Sequence, residues 1–548
     1  MAVSSGNYSV DQLIITMLTK PVPAYIMVAL AALLWGGEYI RRDLWEPDEA
    51  RFALVAREMR DGHWLVPFRQ GEFYSHKPPL MFWLINAFSL FTGGTIGNLA
   101  ARMPSFLGAV LAMWTSIRIA TLWFSVRAGW YTLLLLPTSY LFWNKGGFGQ
   151  IDMLLCGLEM MALYLLFTAN ISPNRSRLMA AYSFMGLGIL AKGPVGLIIP
   201  LGIYIAVSLT TKKPIARPRS HFVWGPVLAL IFPGLWLLAA WWSGAPEGFF
   251  HELLFKQNVG RLSGEFGGHV KPFYYFLYYF PLDFLPWTLA LPLSWRALGQ
   301  DRQTRSGRLA LLAWMVFVIL FFSLSSSKRN LYILSVYPAA AIMVAAGIDH
   351  WSFVSRSMIR ATFWSLWVLL LLIGLAMAAS VFVHNVPINT VMLLPGGLTM
   401  LAGCWWTYDL FQARKEAPGW LAAMSSIVMI NFASIGLFVY PEFNAFKIPD
   451  EIIHVAHDNL APTDRIIMYK QHGEIFSLYA ERKGIMLYSQ TELASFINQA
   501  SQKNHMILAL DRELPDIVSV VGEGHETHRF RMGNKRLVWL LIKRESEL

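Results

Sequence analysis

The sequence predicts a polytopic α-helical membrane protein with a small mixed α/β domain at its C-terminus. The chain has 548 residues, of which 55% are hydrophobic. It contains about thirteen apolar runs of roughly 17–25 residues, the length at which a helix crosses a lipid bilayer. Basic residues fall in alternate loops, and most other ionisable residues fall in the remaining loops. A water-soluble protein could not bury this much apolar surface, so we expect an integral membrane protein.

The predicted spans form a transmembrane domain over residues 1–440. The first run is too long for the hydrophobic region of a signal peptide, and we interpret it as a retained anchor. The thirteen spans cover about residues 22–40, 98–122, 127–143, 152–170, 177–191, 194–210, 221–242, 272–297, 309–327, 331–349, 361–383, 391–411 and 420–440.

The distribution of lysine and arginine predicts the orientation, because cytoplasmic loops are enriched in these residues. With a cytoplasmic N-terminus, six basic loops lie inside. One of them contains Arg175 and Arg177, and another contains Arg414 and Lys415. The net charge of +11 is spread through these loops, so we exclude nucleic acid as a partner. The apolar run at 79–91 is short, and we interpret it as an interfacial or re-entrant helix within an external first loop, residues 41–97.

Two extramembrane segments have recognisable patterns. In the first loop, the stretch 49–60 is amphipathic, with Phe52, Val55 and Met59 at helical spacing. Residues 441–548 alternate between short strands and helices and predict an external α/β domain. The predicted strands are 465–469, 485–488, 505–510 and 536–542, and the predicted helices are 474–480 and 491–499.

Ionisable and aromatic residues that do not serve orientation gather on the external face. They include Asp48, Glu49, Arg51, Tyr74, His76, Lys77, Asp152, Lys192, Arg261, His269, Lys328 and Tyr332. The cations suit a phosphate, and the acids suit a hydroxyl or a cation. Any one of these residues has a simpler explanation as a helix cap or a snorkelling anchor, and the argument depends on their convergence. Because the sequence lacks a Gly-rich phosphate loop, we expect a phosphate-bearing lipid instead of a soluble nucleotide.

Five motifs resemble a known family. They are Trp45–Phe52 (WEPDEARF), Tyr74–Leu80 (YSHKPPL), Gly149–Asp152 (GQID), Ala191–Pro194 (AKGP) and Ser325–Ile333 (SSSKRNLYI). The first resembles the signature of polyprenyl-phosphate-sugar-dependent glycosyltransferases of the C-type membrane fold. Together, and in this order, the motifs resemble the aminoarabinose transferase branch, which modifies lipid A in Gram-negative bacteria.

The resemblance implies transfer of 4-amino-4-deoxy-L-arabinose from undecaprenyl phosphate to a lipid A phosphate. It places the reaction at the periplasmic face of the inner membrane and implies resistance to polymyxin and other cationic antimicrobial peptides. We expect Asp48, Lys77 and Asp152 to be catalytic. We expect the substrates to contact Glu49, Arg51, Tyr74, His76, Lys192, Arg261, His269, Lys328 and Tyr332.

Two alternatives remain open at this point. A related transferase would move another sugar from a polyprenyl-phosphate carrier to a protein, glycan or lipid. A transporter is less favoured, because we find no internal repeat and the charges lie at helix ends instead of the bilayer midplane. His76 and His269 are the candidate ligands for a divalent metal ion, but paired histidines of this kind are more often hydrogen-bonding partners, so we expect no obligatory cofactor.

Overall fold

The structure is a computed structural model that describes residues 20–211, 220–256, 270–383, 389–413, 417–499, 503–523 and 525–543. Helices dominate the chain up to about residue 440. Those of the first half are Ala24–Arg41, Asp48–Glu58, Leu80–Ser89, Asn98–Trp123, Val126–Leu135, Tyr140–Gly147, Ile151–Ile171, Arg175–Lys192, Val195–Thr211, His221–Trp242 and Phe249–His251. Those that follow are Tyr275–Asp283, Leu291–Gln300, Arg302–Ser323, Val336–Ile348, Arg356–Ala379, Leu394–Gln412 and Ala417–Ser434.

Within the described residues, six helices are long and apolar enough to cross a membrane. They are Asn98–Trp123, Ile151–Ile171, His221–Trp242, Arg302–Ser323, Arg356–Phe382 and Gly419–Lys447. Shorter apolar helices cover Leu80–Thr92, Val195–Thr211 and Val336–Ile348. The chain is therefore a multi-pass helical protein as predicted, whereas the count of thirteen spans remains a prediction.

Prolines divide two of the predicted spans. The span predicted at 127–143 is divided into Val126–Leu135 and Tyr140–Gly147, with Pro137 between them. The span predicted at 272–297 is divided near Pro281 and Pro286. Proline lacks the backbone N–H that a continuing helix needs, which explains both interruptions.

Glycines allow two central helices to approach closely. A Cβ atom on Gly108 would lie 2.3 Å from the Met153 carbonyl oxygen, and one on Gly157 would lie 2.4 Å from the Gly108 carbonyl oxygen. Helices Asn98–Trp123 and Ile151–Ile171 thus cross with their backbones in contact, as is common where small residues meet in membranes. This crossing fixes the position of the helix that carries Asp152.

The first loop folds as a compact layer on the helical domain. Its amphipathic helix is confirmed: Phe52, Val55 and Met59 are buried and pack against Phe82 and Ile85 of the short helix Leu80–Ser89. Strands β1 (Phe68–Arg69) and β2 (Glu72–Phe73) form a small hairpin between these helices. The predicted interfacial segment is therefore a ten-residue helix packed on a neighbouring helix of the same loop.

The C-terminal domain is a five-stranded sheet between two helical layers, which confirms the predicted α/β character. Its strands are β3 (Arg465–Tyr469), β4 (Lys483–Leu487), β5 (His505–Leu510), β6 (Glu526–Met532) and β7 (Lys535–Ile542), in the order β4-β3-β5-β7-β6. β3 is parallel to β4 and β5, and β7 is antiparallel to β5 and β6. Its helices are Asn444–Lys447, Asp450–Asn459, Glu474–Tyr479, Gln490–Gln499 and Leu514–Val521.

The C-terminal domain docks on the first loop. Arg57 donates hydrogen bonds to the carbonyl oxygens of Ser477 (2.8 Å) and Leu478 (3.0 Å). The Tyr479 hydroxyl accepts from the backbone N–H of Leu44 at 2.7 Å. Because these contacts fix the helix Asp48–Glu58 from outside, the C-terminal domain helps to position the candidate site.

Candidate active site

Asp48 lies at the first position of its helix and is bound by two arginines. Its carboxylate accepts hydrogen bonds from Arg51, from Arg329 Nη2 at 2.9 Å and from Gln150 Nε2 at 3.2 Å. An acid is also favoured at this position by the helix dipole. Burial raises the pKa of Asp48, but Arg329 and Arg51 lower it by more, so its net pKa lies below the usual range. Asp48 is therefore an ionised carboxylate at neutral pH.

Asp152 lies at the start of its own helix and pairs with Lys192. Lys192 ends the helix Arg175–Lys192, where Gly193 adopts a φ of 94° that L-residues rarely adopt. The Lys192 ammonium also lies 4.4 Å from the ring centroid of Tyr332, a cation–π distance. The sharp turn at Gly193 thus directs Lys192 toward both partners.

These contacts bring together side chains from four segments of the chain. Arg329 binds Asp48, and Tyr332 follows Arg329 by one helical turn, with its N–H bonded to the Arg329 carbonyl oxygen at 3.0 Å. Gln150 precedes Asp152 by two residues, and its side-chain amide donates a hydrogen bond to Asp48. We call this set the Asp48 cluster; it consists of Asp48, Arg51, Gln150, Asp152, Lys192, Arg329 and Tyr332. Five of the twelve predicted site residues therefore meet in one place.

Glu49 lies behind the Asp48 cluster in a fully buried network. Its carboxylate accepts hydrogen bonds from Arg42 (2.6 and 2.9 Å) and from Arg102 (2.7 and 3.2 Å). The backbone N–H groups of Trp45 (3.1 Å) and Gly149 (2.9 Å) also donate to it. With these six contacts, Glu49 ties the first loop to two helices, and the geometry favours a structural role over the predicted substrate contact.

Tyr74 and His76 lie beside the cluster. Tyr74 is buried, and burial raises its pKa. The Arg51 guanidinium lies close enough to act in the opposite direction. The His76 ring lies 5.0 Å from the Tyr74 ring, centroid to centroid. Lys77 follows directly and is half-buried. Tyr74 therefore lies next to the Asp48 cluster, and the roles expected of His76 and Lys77 remain predictions.

At the position predicted for Lys328, the structure places its neighbour Arg329 instead. Lys328 is buried, and its ammonium donates to the backbone carbonyls of Ser325 and of Lys271, the latter at 3.0 Å. Arg329, which we did not select from the sequence, is the cation that reaches Asp48. Lys328 thus holds the loop in place while Arg329 faces the cluster.

Glu159 is a further residue that we did not select from the sequence. It is buried in the helix Ile151–Ile171, seven residues after Asp152. Its carboxylate accepts a hydrogen bond from Ser335 and lies near the charges of Lys192 and Asp152. An ionisable residue within a membrane-spanning helix is costly unless it has a partner or a function. That rule is the signal by which the sequence identifies Glu159.

Two predicted residues, Arg261 and His269, lie outside the described residues. Among the residues that the structure describes, no group of three His, Cys, Asp or Glu side chains is placed to hold a metal ion. His76 packs on Tyr74 and is not accompanied by such a set. The described donor set therefore does not fit a metal centre, and we derive no chemical step through a metal.

Comparisons with known proteins identify the family of the chain. The family of dolichyl-phosphate-mannose-protein mannosyltransferases matches residues 76–237. An undecaprenyl phosphate-alpha-4-amino-4-deoxy-L-arabinose arabinosyl transferase from Pectobacterium atrosepticum is 30% identical over 421 residues, 73% of each chain. One from Pectobacterium carotovorum is 28% identical over 505 residues, 88% of each chain. ArnT from Cupriavidus metallidurans, solved with bound undecaprenyl phosphate, aligns at 21% identity with a TM-score of 0.76, covering 94% of this chain and 97% of that one.

The helical domain, the first loop and these relatives define a membrane glycosyltransferase, and the predicted C-type fold is confirmed by the structural match. More narrowly, the chain belongs to the family of undecaprenyl phosphate-alpha-4-amino-4-deoxy-L-arabinose arabinosyl transferases. The resemblance stated from its motifs is therefore confirmed.

Proposed function

We propose that the chain transfers 4-amino-4-deoxy-L-arabinose from undecaprenyl phosphate to a phosphate group of lipid A. The reaction takes place at the periplasmic face of the Gram-negative inner membrane, where the C-terminal domain and the first loop also lie, and the N-terminus is cytoplasmic. The product carries fewer net negative charges, which weakens binding of polymyxin and other cationic peptides. The Asp48 cluster, in a chain of this family, is the observation that supports the proposal.

The chemistry is a single displacement at the anomeric carbon of the sugar. A bond forms between that carbon and an oxygen of the acceptor phosphate, and the bond to the undecaprenyl phosphate oxygen breaks. The electron pair leaves with the carrier phosphate, so negative charge develops there. One displacement predicts inversion of configuration at the anomeric carbon.

Cations of the site neutralise the departing phosphate. Lys77 and Arg51 are the principal candidates, with Lys192 and Arg329 assisting, because preorganised cations stabilise charge that develops in the transition state. Arg51 is suited to this role because its guanidinium already lies against Asp48 and near Tyr74. Arg261 retains its predicted role in phosphate binding.

The acids orient the sugar and stabilise its positive charge. Asp48 is a weak base, since Arg329 and Arg51 keep its pKa low. A phosphate acceptor is already an anion at neutral pH and requires no strong base. Asp48 and Asp152 therefore act on the sugar ammonium or on an oxocarbenium-like transition state, and Tyr332 and Tyr74 contact the sugar ring.

The second candidate function is transfer of a sugar to protein, because the matching family is that of dolichyl-phosphate-mannose-protein mannosyltransferases. In that case the acceptor is a hydroxyl group, and Asp48 must remove its proton. The low pKa of Asp48 argues against this alternative, because a general base works best with a pKa near the operating pH.

An assay with purified protein separates the two functions. The donor is undecaprenyl phosphate-linked aminoarabinose, and the acceptors are lipid A and the same lipid A with its phosphates removed enzymatically. We expect a product only with the phosphorylated acceptor. Equal transfer to the dephosphorylated lipid would identify a hydroxyl acceptor and contradict the proposal.

The proposal needs no obligatory metal ion. Treatment with EDTA, followed by removal of the chelator, should leave the rate of transfer within about twofold of the untreated rate, because this displacement relies on side-chain cations to neutralise the leaving group. A complete loss that Mn²⁺ or Mg²⁺ restores would contradict this expectation and would direct attention to His76 and His269.

A further inference from the structure

A cavity of about 430 Å³ lies far from the Asp48 cluster, between helices Leu291–Gln300, Arg302–Ser323 and Arg356–Ala379. Its lining combines two arginines and a glutamine with apolar walls: Arg296, Arg308, Gln300, Pro292, Trp295 and Met358. This volume is in the range of cavities that bind small molecules, about 300–1,000 Å³.

Arg308 is held in place by its neighbours. Its guanidinium carbon lies 4.0 Å from the ring centroid of Trp295, and Nη1 donates to the Trp295 carbonyl oxygen at 3.2 Å. Gly299 makes room for it, since a Cβ atom there would lie 2.2 Å from Arg308 Nη1. The Nε–H of Arg308 is buried and has no hydrogen-bond partner in the structure. The guanidinium is thus preorganised but has a donor left to satisfy.

The cavity has no compensating acid. No aspartate or glutamate lines it. Among the described residues, neither Arg296 nor Arg308 forms an ion pair. Asp301, which follows Gln300, pairs with His350 at 3.3 Å, and Arg305 adds a further positive charge next to Arg308. A cationic cavity with apolar walls is complementary to an anion that carries an apolar tail.

The cavity lies at the opposite end of a membrane-spanning helix from the Asp48 cluster. Arg308 is fifteen residues before Ser323, a distance of about 22 Å along the helix axis. After Ser323 the chain continues to Arg329, which binds Asp48. The cavity therefore faces the other leaflet of the bilayer and does not share residues with the candidate active site.

We propose that this cavity binds the phosphate headgroup of an anionic membrane phospholipid in the leaflet opposite the Asp48 cluster. Basic pockets between transmembrane helices bind anionic lipid headgroups. Arg308 and Arg296 contact the phosphate oxygens, and Gln300 is placed for the polar part of the headgroup. Trp295, Pro292 and Met358 contact the apolar part of the lipid. The site is independent of the transfer reaction.

The test is native mass spectrometry of the full-length protein in detergent, titrated with phosphatidylglycerol or with zwitterionic phosphatidylcholine. We expect tight binding of one phosphatidylglycerol and at least tenfold weaker binding of phosphatidylcholine. The variant Arg308→Gln should bind phosphatidylglycerol about tenfold more weakly, the loss expected for one charge-assisted contact. Arg296→Gln should show a similar loss. Because Arg296 is exposed, this variant tests the site even if the Arg308 variant does not fold.

The matched control is Arg302→Gln, which removes the same charge from an exposed residue of the same helix that does not line the cavity. It should bind phosphatidylglycerol as the wild type does. Equal binding of the two lipids, or an equal loss in all three variants, would overturn the proposal. Displacement of the lipid by equimolar inorganic phosphate would also overturn it, because the site would then be one for a free anion.

Discussion

Asp48 and Glu49 are consecutive carboxylates in different surroundings. Asp48 faces the cluster and contacts a partly exposed arginine, Arg329, whereas Glu49 is enclosed by Arg42 and Arg102. The carboxylate of Glu49 is therefore committed to holding helices together, whereas that of Asp48 is linked through Arg329 to the more exposed side of the site. Neighbouring positions in one motif thus have separable effects on transfer and on stability.

We predict that Asp48→Asn abolishes transfer and lowers the thermal unfolding temperature less than Glu49→Gln does, because the arginine partners of Asp48 are partly exposed. Glu49→Gln is the matched substitution one residue later. It should lower the free energy of unfolding by about 3 kcal/mol or more, because Arg42 and Arg102 remain buried and lose the negative charge of Glu49. Transfer assays and thermal unfolding in detergent measure both effects. An active Asp48→Asn protein, or a fully stable Glu49→Gln protein, would contradict these assignments.

Arg329→Gln should lower kcat/KM for transfer by about 10- to 100-fold, the range for one lost charge-assisted contact. It should also move the acidic limb of the pH–rate profile to higher pH, because Arg329 is a principal cause that lowers the pKa of Asp48.

Lys328→Gln is the control for this pair. It should reduce stability, since the buried ammonium bonds two carbonyl oxygens, and leave the pH profile in place. A shifted profile in Lys328→Gln, with none in Arg329→Gln, would reverse the two roles.

The sequence was sufficient to gather Asp48, Arg51, Asp152, Lys192 and Tyr332, because loops on one side of the membrane share a face. It could not distinguish Lys328 from Arg329. Their directions depend on how the turn at 325–329 bonds to the backbone of Lys271, a contact 57 residues distant in sequence. Only tertiary structure contains that information.

At the scale of elements, Glu46 lies in the interface between the first loop and the C-terminal domain. Glu46 accepts a hydrogen bond from the backbone N–H of Ile475 at 3.4 Å. Burial, and then the nearby carboxylate of Glu474, raise the pKa of Glu46 from 4.5 to about 7. Between these values the folded protein keeps a proton that the unfolded chain has lost, so stability falls as the pH rises.

We predict that Glu46→Gln makes the unfolding temperature less dependent on pH between 5 and 8. The variant should gain stability relative to the wild type at pH 8, where ionised Glu46 lies beside Glu474. Thermal unfolding at the two pH values measures this difference. Glu451→Gln, at an exposed position of the helix Asp450–Asn459, is the matched control and should behave as the wild type does. Identical pH dependence of wild type and Glu46→Gln would contradict the prediction.

In the C-terminal domain, the pattern of apolar residues alone was sufficient to predict most of the strands. The strands β3, β5 and β7 lie within a residue of their predicted bounds, because each is an uninterrupted apolar run with buried residues. Strand β6 was missed, since its Glu526–Met532 sequence is polar and largely exposed at the sheet edge. Its pairing with β7 is set by the hairpin and not by its own composition.

At the scale of the whole molecule, the first loop lies between two folded units. One face of the C-terminal sheet, with Ile466, Met506 and Trp539, packs in a common core with Ala50 and Ala53 of the helix that begins at Asp48. Since the same helix packs on the membrane domain through its other residues, both units fix its position. The C-terminal domain therefore contributes to preorganisation of the site without supplying a residue of the Asp48 cluster.

The measurement that tests the central claim most directly is mass spectrometry of lipid A from a Gram-negative strain that lacks its own aminoarabinose transferase. The strain is compared with and without this chain, and with the Asp48→Asn variant at an equal level in the membrane. The account predicts a mass increment of one or two aminoarabinose units with the wild-type chain and none with the variant. Unmodified lipid A despite folded, membrane-inserted protein and available donor would contradict it.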